Sequence, residues 1–451
     1  MAGVLAGCAG KVSPDDLRNS LYNGEIEPLR DTVKATHTPG EDLDIALNLG
    51  RLYQMDGMWK ESITAYEEAA AIIEEYESRA IINMRELGGE SGVFTLARGA
   101  KGYFGAGYER SLLHTFNSLN YLMLRDFEGA AVELRKMEKR QEYWLEESAE
   151  RIKQAAQRAN PLASPENLPV GYSLRGILND PQLQSAVSGY QDPFSYALSA
   201  VVHSLVHDQE FAKVSRERAL ALNPTTAALF PDAPPKTKAK KKTNAQPAPG
   251  NGNGDNLELI VLSFTGLAPS LYVERVRTYA PFVGYVVVDL PSYLPPLFPA
   301  GDPHISVNGQ ELVALPLLAT ETLAYRSIWD ELTYETSAAV SRALVRAGVS
   351  AGAYAVASSH DDTRQWAWAI GALTTMVQDL ASMSFDDNVR NWETLPARGY
   401  MTLGTVPAGG ELAIAFGAIS KTIPLPAEGK GVIVLVSHLS NSFMRVDYVS
   451  Y

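Results

Sequence analysis

The chain carries one cysteine in 451 residues, so no disulfide can form within it and its stability has to come from packed cores. It has no uninterrupted run of about 20 apolar residues, which excludes a membrane-crossing helix. Basic residues are in deficit: 39 Lys and Arg stand against 52 Asp and Glu, for a net charge of −13. Nucleic-acid binding needs clustered cations against phosphate, so this balance argues against such a partner. Histidines number seven. His203 and His207 are four apart on an expected helix, which is metal-ligand spacing, but no Glu follows His203 to make the His-Glu-x-x-His pattern of zinc hydrolases. Ser359-His360-Asp361-Asp362 sets nucleophile, base and acid side by side, whereas the members of a triad meet through the fold. Gly250-Asn-Gly-Asn-Gly-Asp255 lacks the downstream Glu of a calcium loop. No catalytic residue, metal ligand or cofactor is assigned on these grounds.

What the chain does have is length for two or three domains and two contrasting periodicities. From 14 to 231 it reads as helices. In Ala46 to Ala69, the residues Leu49, Gly50, Tyr53, Gly57, Trp59, Tyr66 and Ala69 fall where a tetratricopeptide repeat places them. The physics is that of a helix hairpin: small residues allow close approach, Gly57 relaxes the turn and the aromatics fill the space between helices. A second unit runs from Tyr108 to Arg140 with Ala130 as its small contact, and a third from Tyr196 to Pro224 with Ala212 and Ala219. Pro224 supplies the Asn-Pro stop.

Residues 232–256 hold four prolines, the run Lys236-Thr-Lys-Ala-Lys-Lys-Lys242 and a Gly-Asn repeat, a composition that cannot bury enough apolar surface to order itself. This segment is expected to be a disordered linker that few contacts cross. From 257 to 451 the period changes to that of strands, at Leu257–Phe264, Phe282–Asp289, His304–Ala314, Tyr400–Val406, Glu411–Phe416, Ser420–Leu425, Gly431–Ser437 and Phe443–Tyr448. Short strands parted by Pro and Gly turns point to an antiparallel β-sandwich. Residues 320–381, rich in Ala, Gly and Ser, read as a helical insertion in it. The expected fold class is therefore multidomain α + β, with tetratricopeptide-like helices before the sandwich.

The single cysteine, Cys8, ends the run Leu5-Ala6-Gly7-Cys8. This run resembles the lipobox of bacterial lipoproteins, in which the cysteine is lipidated and becomes the anchored N-terminus. The resemblance implies a translation start upstream of Met1, and Ala9 in the next position is compatible with sorting to the outer membrane, facing the periplasm. The chain as a whole resembles a family of uncharacterised bacterial outer-membrane lipoproteins with an N-terminal tetratricopeptide-like part and a C-terminal β part. The resemblance rests on Tyr108-Glu-Arg110, Leu119-Asn-Tyr-Leu122, Glu133-Leu-Arg135, Thr265-Gly-Leu-Ala-Pro269, Asn388-Val-Arg-Asn-Trp-Glu-Thr-Leu-Pro-Ala397 and Pro407-Ala-Gly409. Family members usually carry Asp where Asn388 stands, and this chain instead has an Asp-x-Arg-x-Trp copy upstream at Asp362-Thr-Arg-Gln-Trp366, a departure that weakens any claim that the acid itself is essential. Arg390, Trp392, Leu395 and Pro396 are expected to brace the C-terminal domain where helix meets sheet.

Two functional classes follow. The first is a non-enzymatic scaffold that binds another envelope protein, one of wall synthesis, polysaccharide export or secretion. The alternative is an envelope hydrolase whose active site in the C-terminal domain brings His360, Asp361 or His438 to an acid or nucleophile. Without a motif of catalytic specificity, the scaffold is the preferred expectation.

Overall fold

A computed structural model describes residues 12–87, 103, 105–158, 189–230, 256–280, 284–297, 301–328 and 390–451. Cys8, nearly all of the Pro- and Lys-rich segment, Ser359 to Asp362, Asn388 and most of the expected helical insertion lie outside these residues. The described chain is mixed: helices come first, then sheets that are mostly antiparallel.

The helices are α1 (Pro14–Asn23), α2 (Ile26–Ala35), α3 (Leu43–Met55), α4 (Trp59–Leu87), α5 (Gly107–Met123), α6 (Phe127–Arg158), α7 (Pro193–Leu205) and α8 (Gln209–Leu222). Three pairs, α3/α4, α5/α6 and α7/α8, close with the same backbone turn. A left-handed residue stands at Gly57, Arg125 and His207, with φ of 75°, 60° and 63°. The next N–H in each turn, from Met58, Asp126 and Asp208, donates five residues back to the carbonyls of Tyr53, Tyr121 and His203, at 2.9, 2.9 and 2.8 Å. This is the Schellman closure, which satisfies carbonyls orphaned at a helix end.

Counting from those turns aligns the packing residues. Gly50, Ser118 and Ala200 share one offset, Ser62, Ala130 and Ala212 a second, and Ala69, Met137 and Ala219 a third; all are buried. Small side chains let the paired helices approach. At Gly50 a Cβ would lie 2.4 Å from Cε1 of Tyr66, so only glycine admits that ring. Leu49 and Tyr53 are buried under α1 and α2, and Trp59 is partly buried at the start of α4. Pro224 opens a 3-10 turn, Pro224–Leu229, capped by Asn223, whose Oδ1 accepts the Thr225 N–H at 3.0 Å. Placing His207 in the turn takes it off the helix face of His203, which removes the i, i+4 metal geometry.

The strands are β1 (Asn256–Thr265), β2 (Leu271–Ala280), β3 (Gly284–Tyr293), β4 (His304–Val307), β5 (Gln310–Leu312), β6 (Leu315–Ala319), β7 (Arg398–Pro407), β8 (Glu411–Phe416), β9 (Ile419–Pro424), β10 (Gly431–Ser440) and β11 (Phe443–Ser450), with residues 320–328 helical (α9). A five-stranded sheet has the order β11-β10-β1-β7-β6, a four-stranded sheet the order β5-β4-β8-β9, and β2 pairs with β3 alone. Asn308-Gly309 makes the tight turn between β4 and β5, both residues at positive φ. The all-antiparallel expectation is corrected at the centre of the larger sheet, where β1 runs parallel to β10.

That sheet is buried on both faces. Leu257, Leu259 and Val261 of β1 meet Ile305, Leu412, Ile414 and Phe416 of the four-stranded sheet. The alternate residues Ile260, Leu262 and Phe264 share a core with Phe116 of α5 and Phe194 of α7. Alternation with period two thus sends one strand's side chains into two cores. The first helices of the second and third pairs supply the cover: α5 packs on β10 and β11, and α7 on β6 and β7. The expectation that few contacts would join the helical and β parts is therefore corrected, because a single hydrophobic core contains both. The outer edge of β11 is covered by the hairpin turns. A Cβ on Gly57 would strike the Arg445 guanidinium, Arg125 donates to Ser450 Oγ at 3.2 Å, and Phe127 meets Tyr451 edge-on at 5.7 Å.

Candidate functional site: a buried polar seam between helices and sheet

Residues 390–397 thread between the helices and the five-stranded sheet, and two of the other quoted strings, Tyr108-Glu-Arg110 and Thr265-Gly-Leu-Ala-Pro269, meet them there. Trp392 is fully buried, its ring edge-on to Tyr66 of α4 at 5.7 Å and to Phe116 of α5 at 5.8 Å. Its indole N–H donates to Thr394 Oγ1 at 3.0 Å, so the ring enters the core with its one donor satisfied. Its backbone N–H donates to Glu109 Oε1 at 2.8 Å. The other oxygen of Glu109 accepts from the Tyr103 hydroxyl and the Ala106 N–H, both at 2.5 Å. Burial nevertheless raises the Glu109 carboxyl above its ordinary value, with these donors opposing.

Neighbouring residues repeat the arrangement. Glu393 pairs with Arg18 of α1 at 2.6 Å and accepts from Ser270 at 2.7 Å; Arg18 also reaches the Ala268 carbonyl at 2.8 Å. Thr394 donates its N–H to Asn48 Oδ1 of α3 at 3.1 Å. Asn391 donates to the Pro269 carbonyl at 3.0 Å and accepts from the Leu271 N–H at 3.4 Å. Leu395 and Pro396 offer carbonyls to the Ala268 N–H and the Thr320 hydroxyl, at 2.8 and 2.6 Å. Arg390, at the entrance, lies 3.5 Å from Asp44 of α3. Arg390 and Trp392 thus tie this segment to the N-terminal helices, whereas Leu395 and Pro396 bond within the C-terminal part, at Ala268 and Thr320.

Beside this segment lies a second buried group. Arg51 of α3 sits over the rings of Phe116 and Phe264 at 5.0 and 5.6 Å, donating to Gln54 at 2.6 Å and to Ser437 of β10 at 3.2 Å. Burial brings its pKa down to about 10, so it stays charged at neutral pH, held by ring faces as well as by hydrogen bonds. Gln54 continues to Asn120 Oδ1, Asn120 to Ser62, and Ser62 to the Gly50 carbonyl, at 2.8, 2.8 and 2.6 Å. Sequence reasoning missed Arg18, Asn48, Arg51 and Gln54. Each stands on a helix at a position that reads as ordinary polar surface, and it is closed in only by what packs over it: residues 390–397, the sheet or a neighbouring helix.

His438 was the described candidate for hydrolytic chemistry. It lies between the two sheets, 3% exposed, stacked on Phe416 at 4.6 Å, with Nδ1 2.7 Å from the Thr265 hydroxyl. Among the described residues its Nε2 has no partner. A hydroxyl and an imidazole are paired here, but the orienting carboxylate of a triad is missing from the ring's other nitrogen, and both residues are closed off from substrate. His203 is likewise buried, bonded through Nδ1 to the Ser199 carbonyl at 2.9 Å and stacked on Phe211 at 4.3 Å. Among the described residues no group of three His, Cys, Asp or Glu side chains is placed to hold a metal.

Burial lowers the His438 pKa from 6.5 to about 4. A base whose folded pKa is depressed contributes stability above its unfolded pKa, and that contribution is lost as pH falls from 6.5 to 4, amounting to about 3 kcal/mol at 1.36 kcal/mol per unit. His438→Gln should therefore lose less stability than the wild type between pH 7 and pH 4.5 in urea unfolding. Equal losses in the two proteins would show that this ring does not govern acid sensitivity.

No family model, no curated protein and no solved structure matches this chain.

Proposed function

We propose that this chain is a non-enzymatic envelope lipoprotein, anchored through Cys8 at the periplasmic face of the outer membrane, whose tetratricopeptide-like helices bind another envelope protein. The observation that carries the reading is the threefold repetition of one hairpin turn with small residues at fixed offsets. Arrays of this construction offer repeated helix faces to protein partners. The sheet already fills the face of the first helices, so the partner's surface belongs to the second helices. There Glu67 and Glu74 on α4, Lys136 and Lys139 on α6, and Lys213 and Glu217 on α8 are exposed. The buried polar groups of the seam support the same reading, since their hydrogen bonds are spent within the chain.

Expression of the full reading frame with a fatty-acid analogue, followed by fractionation, tests the address. Label should enter the membrane fraction with the wild type and vanish with Cys8→Ala; label that survives this change, or a fully soluble wild type, would end the lipoprotein reading. Photo-crosslinkers at Glu67, Lys139 and Lys213 test the scaffold. One recurring envelope partner should be captured there and not from Ser420 on β9. Equal yields at all four positions would refute a specific helical face.

A further inference from the structure

We propose that Arg51 and Tyr66, where the first helix pair meets the sheet, hold a buried monovalent inorganic anion of halide size, of which chloride is the example tested. Most polar groups of the seam bond within the chain, but two donors beside it do not. Arg51 is 2% exposed. Its Nη1 donates to Gln54 and its Nη2 to Ser437, while its buried Nε has no partner among the described residues. Tyr66 is fully buried, and its hydroxyl likewise has none among them. An arginine offers donors only, so it cannot accept the phenol's proton in a hydrogen bond. Both groups are left in need of an acceptor, and a buried donor without one is costly.

The two groups share one place. Tyr66 rests against Gly50, the residue before Arg51: a Cβ there would lie 2.8 Å from Cζ, the ring carbon that bears the hydroxyl. Arg51 lies over Phe116 and Phe264, Tyr66 is edge-on to Trp392, and Trp392 is edge-on to Phe116. Burial raises the Tyr66 hydroxyl above its ordinary value and the Arg51 charge opposes the rise, so the field of the guanidinium reaches that hydroxyl. Charge decides the kind of acceptor. Burial lowers the Arg51 pKa only to about 10, which leaves it cationic at neutral pH, and among the described residues no carboxylate acts on it. Arg18, as deeply buried, has Glu393. A buried charge is held at tolerable cost only when it is paired. A lone cation beside a phenol that lacks an acceptor is the chemistry of an anion site. Tyr66 packs only because residue 50 is glycine, and so close a fit suits a single-atom ion rather than sulfate or an organic acid. Because Arg51 of α3 also bonds Ser437 of β10, the ion would make the union of helices and sheet depend on halide.

The test uses the full chain and follows its melting temperature as sodium chloride replaces sodium gluconate at constant ionic strength. The wild type should melt higher as chloride rises, as binding to the folded state alone requires. Tyr66→Phe, which loses one hydroxyl, should need about tenfold more chloride for the same rise. Arg51→Met should show no rise at all. Should that variant fail to fold, Tyr66→Phe and wild-type crystals grown in bromide decide, with an anomalous bromide peak expected between Arg51 Nε and the Tyr66 hydroxyl. Chloride that raises wild type and variants alike would overturn the proposal. So would bromide at surface positions alone, which means an adventitious ion only, and so would a water or a carboxylate of the chain itself found at the two donors.

Discussion

Trp392→Ala is expected to destabilise helices and sheets together by about 3–5 kcal/mol, the usual cost of emptying a buried tryptophan site. That is a large share of the roughly 5–15 kcal/mol that holds a domain folded. Two aromatic edges, Tyr66 and Phe116, belong to helices, while the chain on either side of Trp392 bonds to the β1–β2 turn. Removing the ring opens a cavity where these parts meet. Urea unfolding followed at a helix-sensitive wavelength and by tryptophan fluorescence should show both signals moving to the same lower midpoint. A shift confined to one signal would mean that the two parts unfold separately. A fragment of residues 257–451 is no substitute for the whole chain in this experiment, because it would bare Ile260, Leu262 and Phe264 along the face that α5 and α7 cover.

The second large effect belongs to Arg18 and Glu393, whose side chains are each 5% exposed. Arg18→Met or Glu393→Gln alone should cost about 3–5 kcal/mol, since each strips a buried group of its counter-charge, whereas the double variant should recover much of the loss. Burial raises the Glu393 carboxyl, and Arg18 is the largest influence holding it down. Without Arg18 the folded carboxyl rises further. A raised acid contributes stability below its unfolded pKa and loses it as pH climbs through the folded value, so Arg18→Met should be milder at pH 5 than at pH 8. Additive single effects in a double-mutant cycle would show that the pair is not coupled.

The helix pairs were legible because their signal is local. Gly50, Ser62 and Ala69 sit within one hairpin, and the offsets that locate Ser62 and Ala69 also locate Ala130, Ala212 and Ala219. Most strands were legible too, since alternation and Gly or Pro punctuation lie within a few residues of each other: Glu411–Phe416 was read to its ends. Two strands escaped. β2, with Glu274, Arg275 and Arg277 among its apolar residues, does not alternate cleanly, and β6 is only five residues with a proline in it. The parallel pairing of β1 with β10 could not be read, because both strands are buried apolar runs at their centres, Leu259–Leu262 and Val432–Val436, and nothing in such a run names its neighbour. The seam was half legible. The strings around Trp392 and Glu109 stood out, but the partners Arg18 and Asn48 are ordinary helix residues until the chain closes over them.

That parallel pairing also sets the order in which the protein can form. Glu258 lies beside Gly431, and Thr265 beside His438; on the other side β1 meets β7, which starts at Arg398. The first strand of the central sheet therefore has no neighbour until nearly the whole chain has been made. Its partners are so distant in sequence that closing the loop dominates the search, which places this sheet among slowly folding topologies. During synthesis the apolar run Leu259-Ile-Val-Leu262 must wait uncovered, or under the helices alone, for residues that arrive last. A chain cut short before β10 would lose β10 and β11 together and leave β1, the strand meant for the centre, as a bare edge.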